Sequence, residues 1–420
     1  MEKQWPCAKG LAEDVRYYGK WMRDEAEKRI GHLYPKMRIT EEIAKDRPDL
    51  MDYVGEELTV IAWLWARTVA SPNPVCKGAH VPLVSCLMLS TKEGKKAWAE
   101  IIHDSSILNG WRFQVRSGHI SNELQAKAKL GTKAGKAKDF ICSLTATPIP
   151  RSYIQAEGKA DRLGARLMAL VCEGHHGRVF LSPDEKSESL ASAANTLPIV
   201  EESQQSFLSG ETPTRAMITG GVCSAYGLRT WGKLFTPRQL VALTTFSDLV
   251  QESRPKVIQD ALAAGLSNNE GSLAKSDASA TSYADAVMTF LAFGVSRTSN
   301  TLCTIARWTP DRGQTVTAFA RQGLPMTWDY PEVNPFASAA GDIYVSIDTI
   351  SNCIERLPAA SQGHTVQLDV MGKLVDVSSP VISTDPPYYD NIGYAILSDF
   401  FMFGSGDHLV AYTHRSLPRC

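Results

Sequence analysis

The residues whose types and spacing best suit chemistry lie near the C-terminus, in the run Asp385-Pro386-Pro387-Tyr388. The two prolines fix φ and remove two backbone donors, which predicts a stiff turn whose carbonyl groups have no partner within the chain. With the Asp385 carboxylate, such a turn presents two acceptors close together, and these match the two hydrogens of an exocyclic amino group. Tyr388 offers an aromatic face against which a base removed from a helical stack can lie.

This arrangement suits transfer of a methyl group to the amino nitrogen of adenine. That nitrogen is a poor nucleophile because its lone pair is delocalised into the ring, so holding both hydrogens leaves the lone pair free to attack. We expect in-line transfer from a sulfonium methyl group, with rate gained from orientation and polar pre-organisation and with no covalent enzyme intermediate. The four residues alone also fit a rigid Pro-Pro corner with a tyrosine packed behind it, so both interpretations stay open on the motif.

The elements around this loop must place it at the edge of a sheet. The short β-branched run Val381–Ser383 predicts a strand that ends where the loop begins. In open α/β sheets, ligand sites lie beyond the carboxyl ends of the strands. A helix is expected earlier, near Asp348–Leu357, and an irregular, aromatic-rich stretch, Phe319–Phe336, precedes that helix.

Helical periodicity predicts further helices at 11–30, 41–44, from 236 onward and at 283–296. The third begins at Thr236-Pro237, because threonine can cap a helix and proline fits its first turn. Pro255 is expected to interrupt or kink that helix before Ala261–Leu266.

Runs of β-branched and aromatic residues predict strands at Leu58–Ala70, Val81–Leu89 and Trp111–Arg116. Two more are expected between 163 and 181, on either side of the turn Gly174-His175-His176-Gly177. The adjacent histidines could suggest a metal site. Side chains at i and i+1 of a strand point to opposite faces, however, and no third ligand is near in sequence, so we interpret the segment as a plain turn.

Three segments are predicted to lack packed structure. Residues 126–138 place five lysines among alanines and glycines, which predicts a mobile loop that is either merely solvated or in contact with phosphates. Residues 184–225, rich in Ser, Thr, Glu and Gln, predict a surface excursion that links two domains. Residues 265–282 predict another loop.

The composition predicts a soluble, cytoplasmic protein. The 420 residues carry 44 Lys and Arg against 45 Asp and Glu, a formal charge of -1, so any DNA contact must come from a local patch. No stretch approaches the roughly 18 apolar residues of a membrane span, and the N-terminus has no apolar signal-peptide core, so no membrane partner is expected. The nine cysteines contain no Cys-x-x-Cys pair and fit neither a disulfide framework nor a zinc site.

A family resemblance extends well beyond the loop. Residues 383–401, STDPPYYDNIGYAILSDFF, closely resemble the catalytic-motif region of the adenine-specific DNA methylases that carry a zinc-ribbon-like insertion. Three earlier stretches resemble the same family, from about residue 14 onward: VRYYGKWMRDEAEKRIGHLYP, GKLFTPRQLVALTTFSDLV and FARQGLPMTWDYPEVNPF. The resemblance implies methylation of adenine N6 in DNA, with S-adenosylmethionine as the methyl donor.

The resemblance also implies roles for single residues. Asp385, Pro386 and Tyr388 match the family motif and take its amino-holding and base-stacking roles, with Pro387 completing the loop. Two following residues are expected to lie beside the substrate: Tyr389 and Asn391.

Three departures from the family change what the chain is expected to do. The glycine-rich cofactor loop that family members place before this region has no counterpart, so we expect a separate polypeptide to supply the cofactor-binding half. Relatives carry zinc-binding cysteines where this chain has the run 71–76 and His80. One cysteine, Cys76, and one histidine cannot close a tetrahedral site, so no structural metal is expected. After Phe401 the resemblance stops, as a change of reading frame would produce.

The fold class predicted from these observations is α/β, with an incomplete Rossmann-like methyltransferase sheet at the C-terminus and a mixed α+β insertion or recognition region before it. The predicted organisation is an N-terminal helical segment (1–57), a strand-rich insertion region (58–183), a linker and helical region (184–282), a partial catalytic domain (283–401) and a divergent tail (402–420). The predicted function is that of a DNA adenine-N6 methyltransferase fragment, inactive alone. The alternatives are a non-catalytic DNA-binding or remnant protein and a purely structural or interaction protein.

Overall fold

A computed structural model of the chain describes residues 7–135, 139–194, 197–205, 207–214, 222–269, 279–319, 323–357, 381, 383–384, 393 and 397–404. The helices within those ranges are α1 Lys9–Ile30, α2 Glu41–Ala44, α3 Asn122–Leu130, α4 Arg151–Lys159, α5 Glu185–Ala193, α6 Pro198–Gln205, α7 Pro237–Ala263, α8 Ala280–Ser299 and α9 Ile343–Ile354. The strands are β1 Met37–Arg38, β2 Glu57–Leu58, β3 Val60–Ala70, β4 His80–Leu83, β5 Met88–Ser90, β6 Ala97–His103, β7 Trp111–Ser117, β8 Phe140–Ile141, β9 Pro148–Ile149, β10 Gly164–Gly174, β11 Gly177–Leu181, β12 Arg307–Thr309, β13 Gln314–Val316 and β14 Asp329–Val333.

The central sheet has the strand order β11-β10-β3-β14, with β4 also paired to β3. Strand β3 is buried along all but its last residue, which explains why its sequence is a continuous apolar run and not an alternating one. A second sheet has the order β5-β6-β7. Every pairing between the strands named above is antiparallel. The fold is therefore a mixture of helices and antiparallel sheets, and the Rossmann-like sheet stays a prediction.

Helices α1, α7, α8 and α9 pack against one another. Two glycines make the close contact possible. A Cβ on Gly19 of α1 would lie 2.6 Å from Cγ2 of Ile347, and a Cβ on Gly294 of α8 would lie 2.7 Å from its Cγ1. Ile347, on α9, thus fills the space left by two absent side chains. Its burial is complete, and the hydrophobic core that includes it runs from Ala12 to Phe400.

The long helix α7 begins as predicted and then departs from the prediction. Thr236 and Gln239 form a capping box, in which each side chain bonds the other's backbone N–H, and Pro237 occupies the first turn. Of the two effects predicted for Pro255, the interruption is wrong, because α7 continues through it to Ala263, and the kink stays a prediction. A proline in mid-helix loses one hydrogen bond, but the packing of α7 against α1 and α8 is compatible with an unbroken helix.

Two predictions of unpacked chain are partly wrong. Residues 126–130 belong to α3, whose start is capped by Ser121 and whose Ala128 is buried and accepts a hydrogen bond from the backbone of Leu87 at 2.7 Å. Lysines and alanines favour helix, and one buried face was enough to select it. The segment 184–225 contains α5 and α6, and both Leu208 and Cys223 are fully buried. Residues 136–138 lie outside the described residues.

The strands differ from the prediction in three places. The predicted strand Val81–Leu89 is two strands, because β4 pairs with β3 whereas β5 pairs with β6. The stretch predicted as irregular contains β14, which the sequence did not indicate because it includes Pro331. Proline is tolerated there because, among the described strands, β14 pairs with β3 alone and lies at an edge of the sheet. The predicted strand Val381–Ser383 is not seen, since its described residues 381 and 383 carry no strand structure.

The other local predictions hold with shifts at their ends. The helices at 11–30, 41–44 and 283–296, the strands at 58–70 and 111–116, and the hairpin between 163 and 181 are confirmed. The helix predicted near Asp348–Leu357 begins at Ile343, because Asp342 caps it by accepting a hydrogen bond from the backbone N–H of Tyr344 at 2.7 Å. Within the described residues, no helix is both long enough and apolar enough to span a bilayer.

Candidate functional site

The structure describes residues on both sides of the predicted motif but not the motif itself. Outside the described residues lie the predicted site residues Asp385, Pro386, Pro387, Tyr388, Tyr389 and Asn391. Before them, Ser383 and Thr384 are exposed to solvent. After them, Leu397 is buried and its backbone N–H donates to the carbonyl of Gly393 at 3.0 Å. The motif therefore lies between an exposed segment and a buried one.

The buried segment after the motif is held by an aromatic anchor formed by Phe235, Phe319, Phe400 and Phe401. Phe400 is fully buried, with its ring centroid 5.5 Å from that of Phe235 and 5.0 Å from that of Phe319. The hydroxyl of Ser296, on α8, donates a hydrogen bond to the carbonyl of Phe401 at 2.9 Å. The anchor thus fixes the chain that follows the motif to α8 and to the residue preceding the N-cap of α7.

A buried ion pair joins α7 to the central sheet. Arg238 is 0% exposed and Glu332, on β14, is 1% exposed, with Nη2 of the arginine 2.6 Å from Oε2 of the glutamate. Glu332 also accepts hydrogen bonds from the indole of Trp65, at 2.8 Å, and from the hydroxyl of Thr236. Nη1 of Arg238 donates to the carbonyl of Leu33 at 3.0 Å. These bonds replace water around both charges.

Aromatic rings complete the surroundings of the arginine. Its guanidinium carbon lies 4.0 Å from the ring centroid of Trp63 and 5.1 Å from that of Tyr34, close enough for cation–π attraction. Burial raises the pKa of the Tyr34 phenol, although the nearby positive charge of Arg238 opposes this. Among the described residues, Nε of Arg238 has no hydrogen-bond partner.

A cleft of about 790 Å³ lies beside this ion pair. Its walls come from the segment 35–50, from β7 and from residues 181–187, and it also contacts Trp63 and Arg238. The volume falls within the range of small-molecule sites, roughly 300 to 1,000 Å³. The cleft is therefore large enough for a ligand, and its charges decide which ligands it could attract.

Charged side chains line the cleft, with seven cations against four carboxylates. The cations are Lys36, Arg38, Arg47, Arg112, Arg116, Lys186 and Arg238, and the carboxylates are Glu42, Asp46, Glu57 and Asp184. Several cations also pair with carboxylates beyond the lining: Arg47 with Asp49 at 2.7 Å, and Arg116 with Glu100 at 3.0 Å. Because those partners cancel the excess of cations, we do not assign the cleft to a polyanion such as DNA.

Two turns meet at the opposite end of β3, and one of them contains the run 71–76, where the family resemblance implies zinc-binding cysteines in relatives. The turn after β3 contains Ser71, whose Oγ lies 3.3 Å from Sγ of Cys142 in the turn between β8 and β9. Asn73 of the first turn donates from Nδ2 to Oγ1 of Thr147 in the second, at 2.9 Å. His80, considered with Cys76 as a ligand, has its Nδ1 3.1 Å from the hydroxyl of Thr68. The two turns are therefore joined by polar side chains.

The surroundings of Cys142 favour its thiolate. Burial alone would raise the pKa of this thiol, but hydrogen bonds from the hydroxyls of Ser71 and Thr145 and from the backbone at Leu144 and Thr145 lower it below its ordinary value. In the part of the chain that the structure describes, no group of three or more His, Cys, Asp or Glu side chains is placed to hold a metal ion.

The paired histidines form the turn predicted for them. Gly174 and Gly177 pair across it, and Gly177 has a φ of 108°, which glycine adopts without strain. The ring of His175 stacks on Tyr53 at 5.6 Å, and its Nε2 lies 3.0 Å from a carboxylate oxygen of Glu56. These contacts are those of a surface turn.

Within the described ranges, the residues do not form the cofactor loop of a methyltransferase. The strands that lead toward helices in sequence, such as β7 toward α3 and β14 toward α9, belong to antiparallel pairs. An S-adenosylmethionine site of the expected kind needs a parallel strand, a glycine turn and a helix in succession. The described residues do not fit that group, so no cofactor-binding residue is assigned.

Comparison with protein-family models, with curated proteins and with solved structures finds no match to this chain.

Sequence reasoning did not find the buried cluster around Arg238 or the contact between the two turns. Arg238 follows the predicted cap of a helix with an apolar stripe, and nothing in that pattern indicates that this arginine is buried. Glu332 stands in an aromatic stretch that was not recognised as a strand. One signal was available for the turns. Cys142 and Thr145 are separated by two residues, a spacing common in metal-binding turns, but the two turns are about 70 residues apart in sequence, and only the fold joins them.

Proposed function

We propose that the chain is the base-binding segment of a DNA adenine-N6 methyltransferase, which acts together with a cofactor-binding half that the described residues do not form. The observation that carries this proposal is the run Asp385-Pro386-Pro387-Tyr388 within the longer family-like stretch 383–401. Its residue types suit the grip of an exocyclic amino group better than they suit any other chemistry considered for this chain.

The proposed mechanism assigns one task to each residue of the loop. The Asp385 carboxylate and the backbone carbonyl of Pro386 accept the two hydrogens of the adenine amino group. Tyr388 stacks against the base and holds it out of the duplex. S-adenosylmethionine, when bound, supplies an electrophilic methyl group. The chain's own contribution is to orient the nitrogen lone pair and to keep the base from returning to its stack.

The aromatic anchor supports this proposal because base binding needs a well-positioned loop. Phe400 and Phe401, which follow the motif, are held by contacts with Phe235, Phe319 and Ser296. A base-binding loop that is fixed on at least one side loses less conformational entropy when the base enters.

The stacking role can be tested with the chain alone, without any cofactor. We expect tighter binding to a duplex that contains an unpaired adenine than to the same duplex fully paired, because the mismatch removes part of the cost of flipping. Tyr388→Ala should weaken binding to the mismatched duplex by roughly 5- to 150-fold, the equivalent of about 1 to 3 kcal/mol of stacking. Tyr17→Ala, at an exposed tyrosine of α1, is the matched control. Fluorescence anisotropy at low salt measures both, and equal affinities for the two duplexes would count against the proposal.

The amino-holding role is tested by methyl transfer. In the presence of a polypeptide that carries the cofactor-binding half, Asp385→Ala should abolish the formation of N6-methyladenine, because one of the two amino hydrogens then has no acceptor. Chromatography of digested DNA measures the product. Full activity of the Asp385 variant would overturn the assignment.

Asp390→Ala is the matched control for this experiment. Asp390 offers the same carboxylate as Asp385 in the same run, 383–401, and the motif match gives it no role. The control should therefore keep its methyl transfer. Loss of methyl transfer in both variants would indicate a general disturbance of the loop and would remove the specific assignment to Asp385.

The second candidate function is a non-catalytic DNA-binding or remnant protein. This candidate is favoured because the described residues do not form the strand, glycine turn and helix that a cofactor site needs. The two candidates differ in one measurement. A remnant that binds DNA should show no preference for an unpaired adenine, and a chain without any DNA role should fail to bind duplex DNA at low salt, where phosphate contacts are strongest.

A further inference from the structure

The two turns that meet beside β3 each carry a pair of short polar side chains at a metal-ligand spacing. In the first turn, four residues separate Ser71 from Cys76, and in the second, two residues separate Cys142 from Thr145. Structural zinc sites are built from two such turns, each with two cysteines separated by two to four residues. The sequence separation between the turns hides this relation, and the fold reveals it.

Backbone geometry gives both turns a compact form. The N–H of Ser71 donates to the carbonyl of Ala79 at 2.9 Å, and the N–H of Cys142 donates to the carbonyl of Thr147 at 2.8 Å, so each turn is closed at its base. Each also contains a non-glycine residue in the left-handed region, Lys77 with φ 50° in the first and Ala146 with φ 55° in the second. Such strained positions persist where the surrounding structure specifies the turn.

The donor set does not fit a zinc ion. Zinc in structural sites is bound by thiolates and imidazoles, and two of the four positions here hold the hydroxyls of Ser71 and Thr145. The hydroxyls act as hydrogen-bonding groups in place of ligands: Oγ of Ser71 lies 3.3 Å from Sγ of Cys142, and Oγ1 of Thr145 lies 2.9 Å from Oγ1 of Thr147. The contact between Asn73 and Thr147 adds a second link between the turns.

We propose that these two turns are a metal-free counterpart of a four-ligand zinc site, in which hydrogen bonds from Ser71 and Asn73 hold together the two turns that a metal would otherwise cross-link, while Thr145 bonds within the second turn. The region 58–183 therefore folds without zinc. The proposal predicts that cysteines at positions 71 and 145 complete a tetrahedral site with Cys76 and Cys142.

The native chain provides the first test. We expect the purified full-length chain to contain no stoichiometric zinc and to show the same thermal midpoint with and without a strong chelator, measured by elemental analysis and by circular dichroism. A full equivalent of zinc, or a midpoint lowered by the chelator, would overturn the proposal because a metal site holds much of the folding free energy of its region.

The double variant Ser71→Cys/Thr145→Cys provides the second test. We expect it to bind one equivalent of Co²⁺ with the visible absorption of tetrahedral thiolate coordination, and Zn²⁺ to displace that cobalt and raise the thermal midpoint. The control Ser106→Cys/Ser189→Cys adds two thiols at exposed positions in other elements and should show neither effect. Cobalt spectra that do not differ between variant and control would show that the turns lack ligand geometry.

A third variant tests whether the number of thiols matters. Ser71→Cys alone supplies a third thiol and leaves Thr145 in place, so we expect weaker cobalt binding than in the double variant, with a water molecule in the fourth position. If the double variant does not fold without metal, refolding with zinc should rescue it and refolding with magnesium should not. Failure to refold with either ion would reject the proposed geometry.

Discussion

At the scale of single residues, the ion pair of Arg238 and Glu332 shows how this chain buries charge. Removing two charges from water costs several kcal/mol each, and the cost is offset only when the remaining donors and acceptors find partners. Trp65, Thr236 and Leu33 supply partners for all of them except Nε of Arg238, which has none among the described residues. The pair is therefore sensitive to the loss of either member.

Glu332→Gln should lower the free energy of unfolding by about 3 to 5 kcal/mol, because it leaves the Arg238 charge buried without its counter-ion. Urea titration followed by circular dichroism measures the change. Glu252→Gln is the control, since Glu252 pairs with Arg29 on the surface at 2.6 Å and an exposed pair is worth about 1 kcal/mol or less. Similar losses in the two variants would show that Glu332 is not specially important.

Asp329 carries a second residue-scale prediction. Burial raises its pKa to about 6, although the Ser85 backbone N–H, 2.6 Å from Oδ1, opposes the rise. Because this folded-state pKa lies above that of an exposed aspartate, about 3.9, the folded state holds the proton more tightly. The free energy of unfolding should therefore fall as the pH rises from about 4 to about 6, by on the order of 2 to 3 kcal/mol.

Asp329→Asn should remove that part of the pH dependence while keeping an oxygen that can accept the Ser85 hydrogen bond. Urea titrations at several pH values between about 4 and 7 give the difference between variant and native chain. The exposed Asp311→Asn is the control and should leave the slope as in the native chain. A native slope that survives in the Asp329 variant would assign the effect to other groups.

At the scale of elements, the contact of three helices depends on two residues without side chains. Gly19 and Gly294 give Ile347 the space it occupies between α1 and α8. Protein interiors are packed closely enough that one added methyl group in such a contact forces the helices apart. The helical layer should therefore respond to a small change at this point.

Gly19→Ala should lower the free energy of unfolding by about 1 to 3 kcal/mol, despite the higher helix propensity of alanine, because its Cβ would lie 2.6 Å from Ile347. Adding Ile347→Ala to this variant should cost less than Ile347→Ala costs in the native chain, since the added methyl then meets empty space. Gly31→Ala is the control, because its Cβ would meet only the flexible Glu27 side chain at 3.3 Å. Additive effects of the two substitutions would contradict the proposed contact.

At the scale of the whole molecule, one hydrophobic core connects segments that are far apart in sequence. It includes residues from α1, from the central sheet, from α7 and α8, and from the segment that follows the predicted motif. A shared core makes its parts depend on one another, which favours a single cooperative unfolding transition.

Phe400→Ala should therefore destabilise the whole fold, by about 3 to 5 kcal/mol, although it lies only four residues from the last described residue. Thermal unfolding monitored at several wavelengths tests both the loss and its cooperativity. Phe293→Ala is the control, because Phe293 is 51% exposed and its truncation should change the free energy of unfolding by less than about 1 kcal/mol. A loss confined to a separate, early transition would show that the anchor is independent of the rest.

Helix α7 contains both kinds of information, local and non-local. Its start could be predicted because Thr236 and Pro237 act on the turn that contains them. The hairpin around Gly174 and Gly177 could be predicted for the same reason. The continuity of α7 through Pro255 could not, because packing against other helices outweighs the local cost of proline.

The sequence by itself determined the local starts and turns, the buried strand β3 and the motif at 385–388 on which the proposed chemistry rests. Only the tertiary structure decided that Arg238 meets Glu332, that Ser71 meets Cys142 and that Ile347 lies between two glycines. Each of those contacts joins residues separated by roughly 50 to 330 positions. Short-range periodicity carries no record of such pairings, because they form only when burial of the whole core brings distant segments together.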